Sequence, residues 1–108
     1  MRIKWDIDSI SEVIVSNIDR LSRSIEETKK TAVGRPTYDR ELSTQLGRLK
    51  ANTFVLNDAY LISKQHFLDA LNMMRSILPD DTDVATSRGY FKLGWKCEIE
   101  ILRAIANK

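Results

Sequence analysis

The chain of 108 residues carries 17 Lys and Arg against 15 Asp and Glu, with 43% apolar and 30% charged residues. That is the composition of one globular domain, 1–108, and too evenly charged for a dedicated nucleic-acid binder. Two prolines, four glycines and one cysteine exclude a turn-rich β-sandwich, a collagen-like repeat and an internal disulfide.

The opening Met1-Arg2-Ile3-Lys4-Trp5-Asp6-Ile7-Asp8 brings acids too early for the apolar core of a signal peptide. No run approaches the ~18 apolar residues of a membrane span. The expectation is a cytoplasmic protein without membrane contact. Ile3, Trp5 and Ile7 alternate with polar residues, but a strand here has no partner elsewhere in the chain. An extended lead-in is expected instead, with Trp5 folded back on the end of a bundle.

Ile7, Ile10, Ile14, Ile18, Leu21 and Ile25 recur at helical spacing, which predicts an amphipathic helix over 8–31. Ser9 and Glu12 fit a capping box at its start, and Lys29 and Lys30 suit its negative end. Gly34 and Pro36 mark the break, Gly34 as a left-handed helix terminator, with Thr37 as the next N-cap.

From Tyr38 to Leu78 there is no proline, and an apolar stripe runs through Leu42, Leu46, Leu49, Thr53 and Leu56. One helix of that length would measure about 60 Å, beyond the ~35 Å breadth of a compact domain this size. A break near Ala51-Asn52-Thr53 is therefore expected. It leaves a short or continuous helical piece at 38–51 and a helix at 54–78. The latter is apolar over most of its circumference, the mark of a helix surrounded by others. Pro79 ends it, and a last helix spans 84–106, with Phe91, Trp95 and Leu102 on one face and Tyr90, Gly94, Cys97 and Ile101 on the adjoining one. Gly89 and Gly94 each cost about 1 kcal/mol in a helix interior and mark either a late helix start or a close crossing where a side chain would clash. The fold class is all-α, an antiparallel helical bundle of three long helices plus the 38–51 segment.

Little in the chain carries chemistry. His66, the single histidine, lies on an apolar ridge and reads as structural. Cys97 reads as a small buried hydrophobe. Asp80, Asp81 and Asp83 lack the closing Glu of an EF-hand loop and read as a solvated cap. There is no phosphate loop, no nucleophile elbow and no Glu-x-x-His pair, so neither an enzyme nor a cofactor or metal is expected.

Two features point to partners. Phe54, Leu61 and Leu68 recur at a spacing of seven, the repeat of a self-associating helical seam, and are expected to be covered either by the 38–51 segment or by a second copy, with a homo-oligomeric interface as the reading adopted. Six cations against two acids lie between Lys29 and Lys50, and Arg35, Arg40, Arg48 and Lys50 are expected to meet an acidic partner. The function expected is a non-enzymatic helical interaction module: an adaptor, inhibitor or assembly subunit that associates with itself. The alternative is a nucleic-acid-binding accessory protein that uses the basic corner.

Overall fold

The computed structural model describes residues 5–77 and 87–107. Among these residues five helices follow in order: α1 (Ile7–Thr31), α2 (Tyr38–Val55), α3 (Asp58–Leu61), α4 (Lys64–Ile77) and α5 (Ser87–Ala106). No strand occurs among the described residues, so the all-α expectation holds. Pro79, Asp80, Asp81, Asp83 and the expected start of the last helix at Val84 lie outside the described residues.

The start of α1 corrects the expected cap. Asp6, not Ser9, is the N-cap: its carboxylate accepts from the Asp8 N–H at 3.0 Å and from the Ser9 hydroxyl at 2.9 Å. The helix therefore starts at Ile7, one residue before the expected 8, and an aspartate at its positive end also answers the dipole. Trp5 folds back as expected. Its indole Nε1 donates to the Leu61 carbonyl at 2.7 Å, and its ring lies 5.6 Å from that of Phe67. At the far end Gly34 takes φ +86°, the left-handed geometry that lets the chain reverse into α2.

The helix expected over 54–78 does not exist as one piece. α2 runs on to Val55, and the chain then turns at Leu56 and Asn57. The Asn57 side chain accepts from the Ala59 N–H at 2.9 Å and so starts the single turn of α3. Ser63 repeats the device: its hydroxyl accepts from the His66 N–H at 3.1 Å as α4 begins. Two capping side chains within seven residues offer the backbone better partners than helix continuation does. The break thus falls at Leu56-Asn57, just past the position expected near Ala51-Asn52-Thr53.

α2 and α5 form the most intimate helix pair. A Cβ added at Gly47 would collide with the Phe91 carbonyl oxygen and stand 2.9 Å from the Trp95 nitrogen. A Cβ at Gly94 would collide with the Thr44 carbonyl oxygen. The two glycines face each other's helix backbone, so the helices touch main chain to main chain. This decides which face α2 buries. Ser43, Gly47, Ala51 and Val55, at a spacing of four, go inward. The leucine stripe does not, since Leu46 and Leu56 are each 38% exposed. The centre of the bundle is accordingly this pair, not the 54–78 segment.

The core gathers Ile10 and Ile14 of α1, Ala51 and Val55 of α2, Leu61, Phe67, Leu71 and Met74 from α3 and α4, and Trp95, Ile99 and Leu102 of α5. Trp95 is 3% exposed and its Nε1 donates to the Met74 carbonyl at 2.9 Å, which satisfies the one polar atom it buries. Its ring also meets Phe54 edge-on at 5.8 Å. The molecule measures 50 × 29 × 23 Å.

Candidate protein-interaction face

The three residues expected to form a self-associating seam do not share one helix. Phe54 lies one residue before the end of α2, Leu61 closes α3 and Leu68 sits in α4. Leu61 is 1% exposed, inside the chain's own core. Phe54 stacks on Tyr60 at 5.7 Å and, like Leu68, is packed half-buried against that core. The apolar surplus around residues 54–68 is absorbed by folding the segment on itself, because the turns at Asn57 and Ser63 convert a straight seam into a corner.

The basic corner is also redistributed. Arg48 points between α2 and α5, where its Nε donates to Glu98 Oε2 at 2.7 Å. Glu98 is fully buried, so Arg48 neutralises a carboxylate that the fold has removed from water. Asn52, also fully buried, extends this polar seam: its Nδ2 donates to the Arg48 carbonyl at 3.0 Å and its Oδ1 accepts from Asn17 Nδ2 at 3.2 Å. Arg35, Arg40 and Lys50 are exposed. Of the four expected contacts, three remain on the surface and one is committed to holding helices together.

His66 is exposed on α4, with Nδ1 2.6 Å from the Ser63 hydroxyl. The same hydroxyl caps the helix. Asp69, the nearest carboxylate on this helix, accepts instead from Gln65 at 2.8 Å. Among the described residues the Ser–His pair has no orienting third group, and its geometry is that of a capped helix start. No cluster of His, Cys, Asp or Glu that could hold a metal occurs among the described residues.

One apolar face left exposed lies on α5. Packing consumes the side of this helix that carries Phe91, Gly94, Trp95, Glu98, Ile99 and Leu102. On the other side Leu93 is 50% and Ile101 41% exposed, and Cys97 between them is exposed as well. Tyr90, half-buried, and Ala104, exposed, extend the row at each end. Successive steps of three, four, four and three residues keep all five within an arc of about 80°, over a length of about 21 Å. The expectation that Cys97 is buried is corrected here. The adjoining apolar face is present as the sequence reads, but it turns outward because α2 meets α5 through Gly94, one step round the helix. Sequence reasoning missed this face because Tyr90, Cys97 and Ile101 share their arc with the buried Gly94. Had Gly94 been used to orient α5 against α2, the outward turn of that arc would have followed.

No family model matches the chain, and no curated protein or solved structure shows significant similarity to it. Among the described residues no helix is long and apolar enough to cross a membrane.

Proposed function

We propose that the protein is a non-enzymatic helical interaction module, an adaptor, inhibitor or assembly subunit, that docks partners through the outward face of α5. One observation carries this reading: Leu93, Cys97 and Ile101 form a contiguous apolar row in water on a helix whose opposite side is fully engaged. Isolated exposed apolar residues are ordinary, whereas a row along one face marks an interaction site. The helix is rigidly backed by the glycine crossing with α2 and by the Trp95–Met74 hydrogen bond, so the face is presented preformed. Lys96 and Glu100 border one side of it without interrupting it, as at the polar rim of a protein interface.

A photo-activated cross-linking residue placed at position 93 in cells tests the reading, with position 23 on the exposed side of α1 as control. Discrete adducts at 93 and none at 23 are expected. No adduct at 93 above the control would remove the docking role.

A further inference from the structure

We propose that the occupant of the α5 face is a second copy of this chain, paired antiparallel about a two-fold axis that passes beside Cys97. This rests on the docking role of α5 and adds the partner and its register. The row is palindromic in position about Cys97: Leu93 and Ile101 stand four residues to either side, Tyr90 and Ala104 seven. An antiparallel copy centred there lays Leu93 on Ile101 and Tyr90 on Ala104, with Cys97 against its own equivalent. Large meets small at the ends and aliphatic meets aliphatic inside. A two-fold interface must be self-complementary in this way.

The charges agree with the antiparallel sense. Lys96 and Glu100 border the same flank of the row, and the opposite flank turns toward α2 through Gly94 and Glu98. In an antiparallel pair like flanks meet, so Glu100 of each copy comes within reach of Lys96 of the other, twice. Glu100 already lies 3.5 Å from Arg75 but is 56% exposed, which leaves it accessible. A parallel pair would set this charged flank against the one turned to α2 and form neither contact.

The distances suit a covalent report. Helices packed at 8–10 Å, with Cα atoms about 2.3 Å from each axis, bring facing Cα atoms to about 4–5 Å. That falls at the near end of the range a disulfide spans. One pair of four-turn helix faces buries less than the ~800 Å² per partner of a standard interface. An interface of that size is a small one, so the test spans a wide range of protein concentration.

The test uses the whole chain under reducing conditions in sedimentation equilibrium, then cysteine cross-linking. A monomer–dimer equilibrium is expected. Replacing Leu93 and Ile101 by Asp should abolish it with an unchanged far-ultraviolet circular dichroism spectrum, since both side chains lie outside the core. With Cys97→Ser as background, a mixture of Leu93→Cys and Ile101→Cys should give a mixed disulfide dimer under mild oxidant, in large excess over either variant alone. Each variant cross-linking to itself instead would mean a parallel pair and overturn the register. A dimer that survives the double Asp substitution would place self-association elsewhere. A chain that stays monomeric at several hundred micromolar would overturn the second-copy proposal; cross-links at position 93 of a mass other than this chain's would then show that the docking role itself stands.

Discussion

Replacing Gly94 by alanine sets two effects of known size against each other. In a helix interior the substitution gains about 1 kcal/mol of propensity. Here the new methyl would overlap the Thr44 carbonyl oxygen and stand 2.9 Å from its carbon and 3.1 Å from the Thr44 Cα. The obstacle is backbone, which cannot rotate away. Restoring a carbon contact distance of about 3.5 Å requires α2 and α5 to separate by on the order of 1 Å. Overpacking of that kind costs about 1–3 kcal/mol, and an opened seam forfeits further dispersion along the pair. The clash wins, and the net loss is about 2 kcal/mol. A domain of this size loses about 4–8 °C of Tm per kcal/mol, so a fall of about 10 °C is expected in a thermal melt. Urea unfolding should show a lower midpoint with the same slope. Gly47→Ala should act in the same direction, and the double variant should lose less than twice as much, because the first separation makes room for the second methyl. A Gly94→Ala protein that melts higher than the wild type would refute the main-chain contact between these helices.

Three other outcomes follow from named contacts. Arg48→Met should cost about 3 kcal/mol by leaving Glu98 buried and unpaired, and Arg48→Met with Glu98→Met should recover most of it in urea titrations; equal losses in both would mean the pair contributes nothing as a pair. The Ser9 hydroxyl, and after it the Asp8 N–H, hold the Asp6 carboxyl below its ordinary value of 3.8. A depressed folded value stabilises fully above the ordinary one and loses that contribution as pH falls through the folded one, so Asp6→Asn should flatten the acid limb of Tm against pH below about pH 4; an unchanged limb would exclude Asp6 as its source. Changing Arg35, Arg40 and Lys50 to Glu tests the basic corner without disturbing the Arg48 ion pair. The docking role expects no salt-sensitive mobility shift with DNA or RNA at near-physiological salt, and a steep one lost in that variant would move the function to nucleic-acid binding.

Much of the fold was legible, and what misled was one kind of signal. The isoleucines of α1, the reversal at Gly34, the return of Trp5 and the buried side of α5 all follow from apolar spacing and backbone chemistry. Apolar spacing failed where it was broadest. Between Leu42 and Leu78 nearly every phase of the helix carries a large side chain, so periodicity could choose neither the buried face of α2 nor the end of the helix. The small residues decided the first, since Gly47 and Ala51 let backbones meet where leucines would hold them apart. Asn57 and Ser63 decided the second. Both are polar residues whose capping value a hydrophobicity stripe does not register. The interface candidates failed for the same reason: Phe54, Leu61 and Leu68 are one seam only on an unbroken helix. Arg48 was read as surface charge because its partner Glu98 lies fifty residues away, a pairing no local pattern reveals.

The outward face of α5 is the centre of the account, and the reactivity of Cys97 toward a thiol reagent reports on it most directly. In dilute solution the thiol should react at the rate of an exposed cysteine. It should become protected as protein concentration rises, and the protection should vanish when Leu93 and Ile101 are Asp. Slow reaction at every dilution would mean that the chain itself covers this face, and fast reaction at every concentration would mean that no second copy does.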